Sequence, residues 1–305
     1  MTEQGKDMLV LGIESATPVA SVALADDQGL LGELLLNVGL THSEQLLPMI
    51  DDLLRLCRRN SKEITGIGVS AGPGSFTGLR IGMATAKALA QGLSQVSERD
   101  AAPLPLHPPG SIRVRLAAIP TLEAMSWAMA GQPVQVSPML NARREQVYTG
   151  LYRWRCVSSS VTDEGNGDGN GNAVRDNPSL TELFAARQRG KKERAPAGMT
   201  KDLRWTLDCL VPPEALRPEA WAERMKATGE EVFLLGDGVA MYKEIWMRDL
   251  GAQARLLPPI TGLCRGSFIA LAAMDAMGKS GRQDQWGEAV DRAFYGLKPI
   301  YLRGI

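Results

Sequence analysis

Apolar and polar positions change period several times along the chain, and those changes predict its elements. Three apolar runs open it: Met8–Ser15, Ala20–Leu24 and Leu30–Val38. The links between them contain Thr17–Pro18 and Asp26–Asp27–Gln28–Gly29, both with turn formers, so the spacing predicts an antiparallel meander. Thr41–Glu44 has the T-x-x-E form of a capping box, and Leu46, Leu47, Ile50, Leu53, Leu54 and Cys57 recur behind it at helical spacing. This predicts a helix over 43–58. Ile64–Ser70 reads as a buried strand, and GPGSFTGLR leads into a second helix, about 77–93. A meander followed by strand and helix predicts a mixed sheet covered by helices.

Farther along, the proline-rich stretch 94–115 reads as an inserted loop. Leu116–Pro120 reads as a strand and Leu122–Ala130 as a helix. Val134–Asn141 and Gln146–Trp154 flank Ala142–Arg143–Arg144–Glu145 and predict a hairpin. The segment 156–200 contains EGNGDGNGN, which buries too little apolar surface to offset its ordering entropy, and is expected to be a mobile insertion. The basic run RQRGKKER (Arg187–Arg194) reads as a solvated cluster, with a phosphate contact as the sharper alternative. Helical spacing returns at Glu219–Ala227, a strand at Val232–Leu235, then the turn Gly236–Asp237–Gly238 and a helix through Met241 and Ile245. Arg265–Met277 is an amphipathic helix, and Pro299–Leu302 is a short apolar piece near the end. No repeat of solenoid length is visible. At 305 residues the chain is long enough for one large domain or for two modest lobes, a first over 1–110 with the inserted loop 94–115 at its end and a second over 111–305.

GPGSFTGLR lacks the Gly-Lys-Ser/Thr of a Walker A loop, and its third glycine comes one place late for a dinucleotide fingerprint. Two readings stay open: an anion site at a helix N-terminus, or a tight turn that only glycine permits. In the helix behind it Gly78, Gly82, Ala86 and Ala90 fall four residues apart, and Phe76, Leu79, Met83, Ala86, Ala90 and Leu93 form an a/d-like seam. A stripe of small residues lets another helix approach closely. With the wide apolar arc of helix 43–58, this predicts a helical interface made by Leu46, Leu47, Ile50, Leu54, Gly78, Gly82, Met83, Ala86, Leu89 and Ala90.

Composition narrows the chemistry. The 305 residues carry 34 Lys and Arg against 34 Asp and Glu, so no general basic surplus is present to grip a phosphate backbone. Only His42 and His107 are present, which leaves little room for histidine-based catalysis. Four cysteines stand singly, without a CxxC, so neither zinc nor a disulfide framework is expected. The polar start and brief apolar run MTEQGKDMLVLGIES contain neither a signal h-region nor a membrane span, which predicts the cytoplasm and no membrane association.

LGIESATPVASVAL, HSEQLLPMIDDLL, IGVSAGPGSFTGLRIGMATAKALAQGL, IPTLEAM and MLNARREQVYTGLY, in this order, resemble the TsaB (YeaZ) family. The resemblance implies an α/β, actin-like ATPase (ASKHA) fold of two RNase H-like lobes with mixed sheets flanked by helices. It also implies a non-catalytic subunit that pairs through first-lobe helices with its paralogue TsaD, which threonylcarbamoylates adenosine 37 of tRNAs reading ANN codons. The ATPase TsaE joins that complex, tRNA is met indirectly, and the subunit alone forms a homodimer. TsaD-like proteins hold an H-x-x-x-H metal pair where this chain has Thr121 and Met125, so no metal and no catalytic residue are expected. Actin-like proteins begin their phosphate hairpin with an aspartate, and this chain has Glu14 there. Glu14, Ser15, Thr17, Gly236 and Gly238 are the nucleotide-proximal candidates. No cofactor is expected in the isolated chain, and ATP or ADP only in the complex. The alternative is an actin-like nucleotide-binding enzyme acting on its own.

Overall fold

The computed structural model describes residues 8–39, 41–96, 114–158, 203–279 and 300. The predicted meander is present as β1 (Leu9–Glu14), β2 (Ala20–Asp26) and β3 (Gly29–Leu36), antiparallel throughout. Helix α1 (His42–Leu56) follows, then β4 (Gly66–Gly72), α2 (Phe76–Val96) and β5 (Arg115–Pro120). The first sheet has the order β3-β2-β1-β4-β5, with β4 parallel to β1 and β5 parallel to β4.

A second sheet repeats this scheme. It is built from β6 (Gln135–Arg143), β7 (Gln146–Ser158), β8 (Leu203–Leu216), β9 (Val232–Leu235) and β10 (Ala254–Leu256), in the order β10-β9-β6-β7-β8. Here β6, β7 and β8 form the antiparallel meander, and β9 and β10 extend it in parallel on the other side of β6. The two sheets are thus one topology used twice, the RNase H-like arrangement expected, though no sequence repeat announces it. Its helices are α3 (Thr121–Ser126), α4 (Pro218–Thr228), α5 (Asp237–Met241) and α6 (Lys243–Asp249).

The last described helix, α7 (Gly266–Lys279), corrects the division of the chain. It lies on the first sheet, against β1, β2 and β4, on the face opposite α1 and α2. With β5 also in that sheet, the first lobe extends past residue 110 and takes back a helix from the end of the second. The sequence pattern of β1 reflects this sandwich: all six residues are buried, because Leu9, Leu11 and Ile13 face α1 and α2 while Val10 faces α7. Close approach of α7 depends on glycines in the strands beneath it. Gly12 of β1 and Gly68 of β4 are register partners. A Cβ at Gly68 would lie 2.6 Å from Ala273 Cβ, and one at Gly66 would lie 2.8 Å from Met277 Sδ.

Two strands were missed in the sequence. β8 contains Pro212 and Pro213, which argue against a strand interior. It is an edge strand whose register shifts against β7 near Leu151, so the missing amides are tolerated. β10 has only three residues, too few to show a period. The helix predicted through Met241 and Ile245 is broken at Tyr242 (φ −116°) into α5 and α6. The capping box also differs: Thr41 Oγ1 donates to Glu44 Oε2 at 2.6 Å, and neither side chain caps a backbone amide. The run Arg187–Arg194 and nearly all of the stretches 94–115 and 156–200 lie outside the described residues, apart from the ends that extend α2, β5 and β7.

Candidate functional site

The candidate residues gather around the turn between β1 and β2. Glu14 ends β1 fully buried, and its side chain folds back on the turn it starts. Glu14 Oε1 accepts from the amides of Ala16 (2.7 Å) and Thr17 (3.2 Å), while the Ser15 amide donates to Ser70 Oγ at 3.1 Å. The Cys264 thiol donates to Glu14 Oε2 at 3.1 Å. Thr17 Oγ1 accepts from the Val19 amide, and the Ala16 carbonyl accepts from the Ser75 amide at 2.7 Å. One carboxylate oxygen of Glu14 thus satisfies two amides of the turn.

Burial raises the Glu14 carboxyl to about 6, against the lowering effect of hydrogen bonds from Cys264, Ala16, Ser70 and Thr17. The Cys264 thiol is pushed well up by burial and by Glu14 beside it, so it stays a neutral donor. For an acid whose folded value is raised, the folded state holds the extra proton, so stability is lost as pH rises through the window from the ordinary carboxylate range to about 6. Glu14→Gln keeps the acceptor and removes the charge. It is expected to gain about 2 kcal/mol over the parent at pH 8 and little at pH 4.5. Urea midpoints of both proteins across that range check it, and parallel curves would exclude the ionised carboxylate as the cost.

GPGSFTGLR forms a tight turn built on its glycines. Gly72 and Gly74 have φ of 102° and 159°, and a Cβ at Gly74 would strike Ala16, lying 2.8 Å from its Cβ. Ser75 caps α2, its Oγ accepting from the Gly78 amide at 3.2 Å and its carbonyl from the Leu79 amide. Gly72 N donates to Thr121 Oγ1 at 3.1 Å, and Ile300 N donates to the Ala71 carbonyl.

The first half of the small-residue stripe of α2, Gly78 and Gly82, meets this same turn. A Cβ at Gly78 would collide with the Ser15 carbonyl, and one at Gly82 with Ser15 Oγ, itself buried without a hydrogen-bond partner among the described residues. Met83, Ala86 and Ala90 are buried in the first lobe's core with Leu46, Ile50 and Leu54. Leu89 is partly buried against it, and Leu47, 55% exposed, is the one member of the predicted interface that faces outward. The exposed positions of α2 include Phe76, Arg80, Ala84 and Ala88, with the Arg80 guanidinium 4.9 Å from the Phe76 ring centroid.

Gly236 and Gly238 lie in the second lobe and pack closely on its strand β6. A Cβ at Gly236 (φ 110°) would clash with Met139 O and lie 3.0 Å from Met125 Cε, and one at Gly238 would lie 3.1 Å from Met139 Cβ and from Val147 Cγ1. Gly262 packs on Gly236, and Cys264, two residues on, reaches Glu14. The segment Gly262–Cys264 therefore joins the two groups of nucleotide-proximal candidates. Thr121 and Met125 are fully buried in α3, in hydrogen-bonded and apolar surroundings respectively. Among the described residues no group of three or more His, Cys, Asp or Glu is arranged to hold a metal ion, and no helix is long and apolar enough to cross a membrane.

Residues 37–96, which hold α1, β4 and α2, match the family described as TsaD, tRNA N6-adenosine threonylcarbamoyltransferase. The chain is 29% identical over 148 residues to the tRNA threonylcarbamoyladenosine biosynthesis protein TsaB of Bacillus subtilis, covering 48% of this chain and 56% of that protein. It is 30% identical over 146 residues to TsaB of Escherichia coli, covering 48% and 55%. The chain thus spans about half the length of these curated relatives. Its fold is that of YeaZ from Pseudomonas aeruginosa, with a TM-score of 0.59 at 19% identity over 97% of this chain and 100% of the other. The chain is thus similar in sequence to TsaB proteins over about half its length and in fold to YeaZ over nearly its whole length.

Proposed function

We propose that the chain is a subunit of tRNA threonylcarbamoyladenosine synthesis that pairs with TsaD and supplies no transferase site of its own. Support comes from α3: by the resemblance, Thr121 and Met125 fall where TsaD-like proteins place their metal-binding histidines, and both are committed to the core, Thr121 through its bond to the Gly72 amide. The substrate would be adenosine 37 of tRNAs reading ANN codons, with TsaE joining the complex and ATP or ADP bound only within it. The chain alone would form a homodimer. The closed β1–β2 turn, its amides taken by Glu14 and Ser70, supports this reading over an independent nucleotide-binding enzyme. Titration calorimetry with ATP and magnesium on the isolated chain tests that second reading, which tight binding would restore.

The pairing surface is the outward side of α1 and α2, which lie side by side. Leu47 and Leu56 of α1 are 55% and 63% exposed, and Ala84 and Ala88 stand one turn apart on the exposed side of α2. Reconstituted modification with TsaD, TsaE and the threonylcarbamoyl-AMP synthase is expected to fall to background when this chain is left out. Leu47→Asp combined with Ala88→Glu places two charges in that surface. The pair is expected to weaken TsaD binding by about 2–4 kcal/mol without moving the melting temperature. Full modification without the chain would defeat the proposal, and undiminished pairing in the double variant would move the interface elsewhere.

A further inference from the structure

The β6–β7 hairpin turns through Arg143, Arg144 and Glu145, with φ of 58°, 50° and 58°. Arg143 is the register partner of Gln146, so Arg144 and Glu145 are the two central residues of the turn. Positive φ at both central positions is the geometry that favours Asn-Gly or Asp-Gly. A residue with a Cβ is disfavoured there by contact with the following carbonyl oxygen. These side chains are kept against the preference of the backbone, and strain of that kind clusters at functional positions.

The surroundings hold the tip in place. Asn141 N donates to Asp237 Oδ1 at 2.9 Å, and Arg143 N donates to Asn141 Oδ1 at 2.8 Å, which ties the end of β6 to the start of α5. Glu145 faces Arg217, the residue before α4, at 3.7 Å. Arg144 is exposed and has no partner among the described residues. The tip therefore offers a guanidinium on a braced turn, with Arg143 and Arg217 near it and Glu145 and Asp237 as the acidic groups.

We infer that Arg144, with Arg143 beside it, contacts phosphate groups of an RNA backbone. Guanidinium pairs with phosphate through two parallel hydrogen bonds, and a braced turn lowers the entropy lost on binding. The choice of RNA over an acidic protein surface rests on the tRNA reading proposed above. With total charge balanced, a contact of this size orients the RNA rather than providing most of the affinity.

Fluorescence anisotropy of a labelled tRNA transcript over a salt series, with the full chain alone and with TsaD, tests this. Arg144→Ala leaves the backbone preference nearly unchanged and is expected to weaken tRNA binding roughly tenfold, lowering the salt slope by about one. Arg144→Asn with Glu145→Gly is expected to raise the melting temperature by about 2–4 °C while losing the same affinity. Unchanged affinity and slope in Arg144→Ala overturns the inference. So does a loss confined to TsaD binding, which would make the tip a protein contact. Reconstituted modification separates the two claims. If modification needs the chain but tRNA affinity ignores Arg144, only the phosphate contact is wrong. If Arg144-dependent tRNA binding survives while modification proceeds without the chain, the contact stands and the proposed function falls.

Discussion

Gly12→Val is expected to leave little folded protein. A Cβ at residue 12 would collide with the Gly266 carbonyl and lie 2.6 Å from the Ala270 amide nitrogen, so the obstruction is backbone of α7 rather than a side chain that can swing away. Ordinary overpacking costs about 1–3 kcal/mol because neighbours repack. Here α7 must shift as a body, which also breaks its contacts through Ile269, Ala273 and Met277. A loss of about 4 kcal/mol or more is expected, a large part of the roughly 5–15 kcal/mol that stabilises a typical domain. Gly92→Ala is the matched control: it lies in α2, nothing among the described residues lies within 4 Å of its added Cβ, and it should gain about 0.5–1 kcal/mol. Urea denaturation of the two variants decides the matter. A Gly12→Val protein as stable as the parent would mean that α7 does not sit against this strand.

The second large effect concerns how the same helix is anchored. Glu33 projects from the edge strand β3, its side chain only 6% exposed. Its Oε1 accepts from the Ser267 amide (3.0 Å), the Ser267 hydroxyl (2.8 Å) and the Ser21 hydroxyl (3.2 Å). Oε2 accepts from Arg265 Nε (2.9 Å) and Nη2 (2.5 Å). Ser21 Oγ in turn accepts from the Gly266 amide at 2.9 Å. One carboxylate thus serves the first turn of a helix some 230 residues away in sequence, where the helix dipole favours negative charge. Glu33→Ala strands a buried amide and an arginine, and is expected to cost about 2–4 kcal/mol; Arg265 keeps enough water contact to hold the figure below that of a fully buried pair. Glu33→Gln retains an acceptor for Ser267 and should cost less than half as much. Equal losses in the two variants would show that charge pairing with Arg265, not capping of α7, is what Glu33 contributes.

Legibility in the sequence followed the range of the interactions. The meander, α1, β4 and α2 were visible because period and turn chemistry are local. The stripe Gly78–Gly82 was visible as a close approach, but its occupant was misread. Small residues report that something comes near, and here it is Ser15 of the same chain rather than a partner helix. The apolar arcs of α1 and α2 had the same weakness, since the breadth needed to cover a sheet resembles the breadth needed for two contacts. The glycines inside β1 and β4 were the unread signal for α7, because a glycine within a strand often marks a close neighbour. Glu14 was recognised as a departure from aspartate, but its return to the Ala16 and Thr17 amides depends on a turn geometry that no spacing rule contains. The second sheet's duplication was invisible because two copies of a topology need share only pattern, and β8 and β10 obscure even that.

The return of α7 to the first sheet has a consequence for synthesis. Strands β1 to β5 are complete once residue 120 is made, yet one face of their sheet, with Gly12, Gly68 and Val10, lacks its cover until Lys279 has left the ribosome. At about 5–20 residues per second this face waits some 8–30 s, so the lobe made first cannot be the lobe that finishes folding first.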